Sequence, residues 1–406
     1  MIRVLFVEAS SGGVVGGSVT GLYHLIRGLD RSRFEPTMVL YERKDIETEL
    51  RAEQVPVHHV HRRRMPKEHG LLKYEMYHRA KRAGVVRSAL QVGRHALRLA
   101  VEEAPSAARL IRMIRRVRPD VVHLGNGVRA NFDGILACWV TRTPCVCHVK
   151  GFEKYSGRER WAAQRVDALV CMTRAVAEHC ERSGVRGCRT HVVYDALDEA
   201  AFAPQREPAA VRVELGIKNG APCVGVVGNV QQWKGQAVLV EAMAEVCNAV
   251  PGARGLIVGG VHRAGVAYRD RLEERIRELH LNQSMSVTGF RRDVADVINA
   301  LDVLVHTSIR PEPFGRVILE GMLLGKPVVA SAAGGVPELI RDGDTGFLTP
   351  PGDAAALAAR LVPLLQDAAL RQHVGARAQQ WARAAFSLPR HVAAMSAIYE
   401  DLVRGH

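Results

Sequence analysis

Short apolar runs separated by helix-length stretches recur along this chain, and the pattern runs through twice. Arg3 to Val7, Thr37–Leu40, Val121–Leu124, Cys145–Val149, Ala168–Cys171 and Thr190–Val193 read as strands, with apolar periods of three and four residues between several of them. A Pro-rich polar stretch, APQREPAA (203–210), interrupts the series and suits a linker. The pattern then restarts with CVGVVG (223–228) and a helix that runs from after KGQ to about Val250. LIVGG, MSVTG, VLVHTS and PVVAS follow as strands, and the tail from Asp353 is helical, with later helices over about 369–384 and 389–404. Nearly continuous apolar strands are the kind that helices cover on both faces. Strands alternating with helices form parallel, doubly wound sheets, so the expectation is an α/β chain of two such halves.

Length agrees, since 406 residues make about two to three domains. No apolar run approaches the roughly 20 residues of a membrane span. The opening MIRVLFVEASSGG reads as a first strand entering the glycine-rich turn SSGGVVGGS, with a helix from about Val19 to Leu29, and not as a signal peptide. Eight cysteines form no C-x-x-C pair, which suits buried thiols in a reducing cytoplasm.

The net charge of +14 is uneven: between Arg62 and Arg118 sixteen Lys or Arg face four acids. This segment reads as a helical insertion in the first half. Val86, Leu90, Gly93, Leu97 and Val101 share one helical face, and Arg87, Gln91, Arg94 and Arg98 another. Such a helix suits a solvated surface or attachment to an anionic membrane. No aromatic platform interleaves its charges, which argues against nucleic acid. His58, His59 and His61 read as a surface run.

Two glutamates stand out. In RPEPFGRVILEGMLLGKPVVA (310–330), Glu312 precedes a Pro-Phe-Gly turn, and Glu320 sits within an apolar helix. An unpaired carboxylate there costs several kcal/mol, roughly, unless something hydrogen-bonds it. The loop follows the strand VLVHTS, and ligands of open parallel sheets bind beyond the carboxyl ends of strands. A helix opening at Gly315 offers backbone N–H groups to a phosphate. Glu320 then suits a ribose diol, and Glu312 the hydroxyls of a second sugar. The plainer alternative has Glu312 favouring the helix start and Glu320 paired with a buried arginine. GNVQQWKGQ (228–236) places Lys234 at another strand-to-helix turn after Gly228, without a Walker A pattern. In SAAGGVPELIRDGDTGFL (331–348), Gly334-Gly335 permits close backbone approach, and DGDTG reads as a turn, not a metal motif.

In this order these segments resemble the retaining glycosyltransferases of family four, which have the GT-B fold, over essentially the whole chain. The strongest matches are Glu312 with Glu320, PFG, GKPVVAS, GGVPELI, DGDTGFL and Lys234-Gly235; GGVVGGS, CHVKGFE and DALVCMT are weaker echoes. Asn229 stands where such enzymes commonly have arginine, and YDALDEAAF (194–202) replaces the usual Pro-Asn-Gly-Val-Asp. The resemblance implies an acceptor-binding domain over 1–203 with the insertion at 62–118, a nucleotide-sugar-binding domain over 204–386, and a helix over 387–406 crossing back to the first.

It further implies a UDP- or GDP-linked sugar donor and a saccharide acceptor meeting in a cleft, with retention of anomeric configuration. The lack of a convincing D-x-D site predicts turnover without a metal, and the basic insertion favours a lipid-linked or cell-surface saccharide acceptor for a cytoplasmic enzyme at the membrane face. Glu320 would bind ribose, Lys234 and the Gly315 helix start the diphosphate, and Glu312 the donor hydroxyls. Backbone near Phe290 and Arg291 would meet the base, with Arg291 as a candidate substitute for the missing phosphate-binding arginine. Gly228, Asn229, Phe314, Arg316 and Val317 complete the donor site. His148, at a strand end, would face the donor sugar, although a plain strand-end histidine reads the same way. Gly16 and Gly17 would close over phosphate and acceptor. A helix terminus contributes at most about 2 kcal/mol, while enzymes lower barriers by at least about 8. A full cation such as Lys234 is therefore required. A nucleotide-sugar epimerase and a non-catalytic sugar-nucleotide binder are the competing readings.

Overall fold

The computed structural model describes residues 1–9, 17–62, 97–218, 220–261 and 265–405. The chain divides into two compact units. The first comprises Met1–Cys171, His179–His191 and Met395–His406; the second comprises Met172–Glu178 and Val192–Ala394.

The first unit carries strands β1 (Ile2–Glu8), β2 (Phe34–Leu40), β3 (Val57–His59), β4 (Val121–Leu124), β5 (Cys145–Val149), β6 (Ala168–Cys171) and β7 (Arg189–Val192). They form one sheet in the order β3-β2-β1-β4-β5-β6-β7, and β1 pairs in parallel with both β2 and β4. Strand order therefore reverses between β1 and β4. In β1 and β4–β6 the apolar Leu5, Phe6, Val122, Val146 and Leu169 are all buried. Edge strand β3 is one that the sequence pattern does not flag. It is three residues long, and His59 at its end is exposed, so apolar alternation has no room to show. The helix expected from Val86 to Val101 lies largely outside the described residues. Its described members Leu97 and Val101 are exposed.

The last helix, Leu388–Arg404, supplies Tyr399 to this unit. Tyr399 is fully buried against Phe6, Phe34 and His123, and its hydroxyl lies 2.7 Å from His123 Nδ1. All eight cysteines are free thiols, six of them buried.

The second unit holds β8 (Cys223–Val227), β9 (Arg254–Val258), β10 (Met285–Gly289), β11 (Val303–His306), β12 (Val328–Ser331) and β13 (Phe347–Thr349). Their order is β10-β9-β8-β11-β12-β13, and every pairing is parallel. The order reverses between β8 and β11, which is where open α/β sheets bind ligands. The structure places the boundary before the Pro-rich stretch, at Val192. Leu197 bridges to Ser387 and Tyr194 donates to Glu338 at 2.9 Å, so 192–203 are stitched into the second unit. Pro208 opens a helix, Pro208–Glu214, because proline fits a first turn.

No described helix is long and apolar enough to cross a membrane. Replacing Tyr399 with Phe removes one hydrogen bond and is expected to lower stability by about 1 kcal/mol. Tyr399→Ala, which opens a cavity, is expected to cost about 3–5. Denaturant unfolding followed by tryptophan fluorescence measures both.

Candidate active site in the second unit

Two loops leave the sheet on either side of the reversal point. After β8 the chain runs through Gly228 and Asn229 to a short 3-10 turn, Gln232–Lys234, and then into the helix Gln236–Ala249. After β11 it runs through 307–315 into the helix Arg316–Leu323. The two are tied together. Ile309 N donates to Trp233 O at 2.9 Å, and Thr307 Oγ1 donates to Lys234 O at 2.9 Å. This contact requires glycine at 235: its φ is +66°, and a Cβ there would stand 2.1 Å from Thr307 O. Glu312 is pinned likewise, with Gly335 N donating to its carbonyl at 2.8 Å. A Cβ on Gly334 would meet that carbonyl oxygen at 2.3 Å.

The side chains converge from these fixed backbones. Lys234 Nζ is 2.9 Å from both carboxylate oxygens of Glu312, and it also lies 4.3 Å from the Trp233 ring centroid. Ser308 Oγ donates to Glu312 Oε2 at 2.8 Å, and His306 Nε2 lies 3.3 Å from the same oxygen. Burial alone would raise the Glu312 pKa. The His306 hydrogen bond and the Lys234 charge outweigh it and hold the carboxyl at about 2. Glu312 is therefore an anion throughout the physiological range.

Glu320 differs in kind. It sits one and a half turns into the helix opened by Gly315, whose φ is +90°, and no side chain caps that helix start. Burial raises the Glu320 pKa, opposed only by the charge of Arg316. No hydrogen bond or ion pair among the described residues satisfies its carboxylate. The plainer reading paired Glu320 with a buried arginine; among the described residues only the charge of Arg316 bears on it, with no ion pair.

The neighbouring strand ends extend the site along the sheet. Gly228 N donates to Val258 O, Val230 N to Gly260 O, and Gly259 N to Gly289 O, each at 2.9 Å. Asn229 is exposed on the first of these loops, and Phe290, at 71% exposure, stands on the third beside Gly260.

Two expected contacts change. The Arg291 guanidinium is engaged by Asp293, at 2.8 Å from Nε, and by Glu214, so a phosphate would have to compete with both carboxylates for it. Phe314 is 1% exposed and packs on Phe386, so it can serve a ligand only through its backbone. Arg316 and Val317 are partly buried in the first turn after Gly315. His148 belongs to the first unit, where it is the last residue but one of β5, almost fully buried and edge-on to His123. Gly16 lies outside the described residues, and Gly17 opens the helix Gly17–Gly28.

The DGDTG segment is a turn. Asp342 Oδ1 accepts from Leu348 N at 2.8 Å, and Asp344 pairs with Arg377. His306, Thr307 and Ser308 escaped the sequence reading. Their signal was a polar triplet closing the apolar run VLV, at the end of a strand whose interior is otherwise aliphatic.

A fold of this kind with this site belongs to the GT-B class. A sequence model described as Glycosyl transferases group 1 matches residues 209–381, and one described as Glycosyltransferase Family 4 matches 15–201. The chain belongs to glycosyltransferase family 4. It is 33% identical over 240 residues to D-inositol 3-phosphate glycosyltransferase of Kineococcus radiotolerans, covering 55% of each chain. It is 29% identical to the lipopolysaccharide core biosynthesis mannosyltransferase LpcC of Rhizobium leguminosarum, over 66% of this chain and 75% of that one. The crystal structure of Anabaena Alr3699/HepE in complex with UDP and glucose aligns with a TM-score of 0.78 at 25% identity, over 99% of this chain and 100% of that one. The match to the inositol-phosphate enzyme takes in about half of that enzyme's length.

The two glutamates should respond oppositely to substitution. The lowered Glu312 pKa means that its anion stabilises the fold above its ordinary value near 4.5, and that this contribution is lost as pH falls toward about 2. Glu312→Gln is expected to lower stability at neutral pH by about 1–3 kcal/mol by leaving Lys234 unpaired. Glu320→Gln removes a desolvated charge and is expected to raise the unfolding midpoint at neutral pH. Thermal unfolding across pH 3–8 reads both.

Proposed function

We propose that the chain transfers a sugar from a UDP- or GDP-linked donor to a saccharide or lipid-linked acceptor, with retention of anomeric configuration and without a metal ion. The observation that carries this reading is an ionised Glu312 held against Lys234 at the sheet's reversal point, beside an unsatisfied Glu320. Lys234 offers a full cation to a diphosphate at the carboxyl ends of the strands. Glu320 has no hydrogen-bond partner among the described residues and can accept from a ribose diol. Glu312 can accept from sugar hydroxyls and stabilise positive charge developing at the anomeric carbon. With a pKa near 2 it is too weak a base to take the acceptor's proton.

That proton therefore goes to the departing phosphate oxygen. The anomeric bond to this oxygen breaks as the bond to the acceptor hydroxyl forms on the same face of the sugar. A UDP-glucose complex of the Anabaena protein, 25% identical to this chain, supports a nucleotide-sugar donor. Relatives named for lipopolysaccharide core biosynthesis support a saccharide acceptor. The basic segment 62–118 supports an acceptor at an anionic membrane surface.

Purified chain given UDP-glucose or GDP-mannose with a saccharide acceptor should release nucleoside diphosphate. Lys234→Ala, Glu312→Ala and Glu320→Ala should each lower the rate, the first by about 100-fold or more. Undiminished rates in all three variants would remove the assignment. A chelator is expected to leave turnover unchanged, and its abolition would reject the metal-free step.

A further inference from the structure

The strand end at His306 is built in a way that packing does not call for. His306 is 3% exposed, and its Nδ1 is buried without a hydrogen-bond partner. A buried imidazole with one nitrogen unanswered is less favourable than an aliphatic side chain in the same space. Its strand neighbours Val303, Leu304 and Val305 are the aliphatic residues such a position ordinarily takes. Among the described residues the ring's polar engagement is through Nε2, which lies 3.3 Å from Glu312 Oε2 and 3.1 Å from Ser308 Oγ. Ser308 donates to that same carboxylate oxygen.

Lys234, by contrast, straddles both oxygens of Glu312 from a long, rotatable side chain. An arriving diphosphate competes for this ammonium. If Lys234 were the sole partner of Glu312, a cation drawn toward phosphate would leave the carboxylate both unpaired and free to rotate.

We propose that His306, with Ser308, is a positioning residue for the donor sugar: it anchors Glu312 through Oε2, so that Lys234 can turn to the diphosphate while Oε1 keeps its aim on sugar hydroxyls. This rests on the reading of Glu312 as the donor-sugar residue. In this role the ring donates from Nε2 to Oε2, and Lys234 is the side chain left to turn toward the phosphates. The division of labour separates two affinities that a merely structural histidine would not separate. Grip on the nucleoside diphosphate depends on Lys234 and Glu320, whereas grip on the attached sugar depends on His306 and Ser308.

The test is isothermal titration of the full chain with UDP and with UDP-glucose, and with GDP and GDP-mannose, beside thermal unfolding. The wild type should bind one nucleotide sugar more tightly than its nucleoside diphosphate. His306→Phe, which keeps ring volume and loses the donor, should weaken the nucleotide sugar by about ten- to a hundredfold. The nucleoside diphosphate should change less than twofold. His306→Gln, whose amide can reach toward the same oxygen, should recover part of the loss, and Ser308→Ala should show a smaller loss of the same kind.

Equal weakening of both ligands by His306→Phe, or of neither, would overturn the proposal. So would His306→Gln behaving no better than Phe. If His306→Phe does not fold, the Gln and Ser308→Ala variants decide by the same sugar-against-diphosphate ratio. A wild type that binds no nucleotide sugar would instead defeat the reading of the site itself, and this proposal with it.

Discussion

One ion pair ties the chemistry of this protein to its topology. Lys234 and Glu312 belong to loops that leave β8 and β11, the two strands between which the order of the second sheet reverses. Splayed helices open a crevice at such a point, and here the two loops bordering it are laced by backbone and hydroxyl hydrogen bonds before the charges meet. Gly235 makes the lacing possible, because a side chain there would strike Thr307 O of the opposing loop, and Gly334, on the loop after β12, leaves the same room beside Glu312 O. The pair is thus supported from both sides. Its half-buried setting strengthens the attraction between the charges while leaving them within reach of a ligand.

The same site contains a deliberate imbalance. Glu312 is satisfied three ways, by a cation, a hydroxyl and an imidazole. Glu320, within the helix that follows, has no hydrogen-bond partner among the described residues, and burial, opposed by the charge of Arg316, works against its ionised form. Stability alone would favour glutamine or an aliphatic residue at 320. A carboxylate kept where it weakens the fold is what a protein needs in order to receive neutral hydroxyl groups, since it accepts from both members of a diol without demanding a counter-charge. One over-determined acid beside one under-satisfied acid gives this short segment two chemically different carboxylates, the basis of the proposed donor site.

Much of this was legible beforehand, for identifiable reasons. β4, β5 and β6 carry the bounds read from their apolar runs, because buried parallel strands leave an uninterrupted signature. The two glutamates, Lys234 and the glycine turns announced a site because carboxylates and glycines are expensive inside a helix-rich core. What escaped was of two kinds. The edge strands β3 and β13 are three residues each, too short for a pattern. His306 and Ser308 act through tertiary contacts with Glu312, four and six residues away across a loop, and no periodicity encodes that geometry. Arg291 was legible as a cation, but its capture by Asp293 and Glu214 depends on a helix more than seventy residues earlier in the chain. The Phe314 aromatic ring belongs to the core for a similar reason, since its partner Phe386 lies far along the sequence.

A crystal structure of the chain with a bound nucleoside diphosphate sugar tests the central claim most directly. Phosphate oxygens are expected within hydrogen-bonding distance of Lys234 Nζ, with the ribose hydroxyls on the Glu320 carboxylate and the sugar facing Glu312. A nucleotide seated elsewhere, with Lys234 still clasping both oxygens of Glu312 and Glu320 still unengaged, would contradict it.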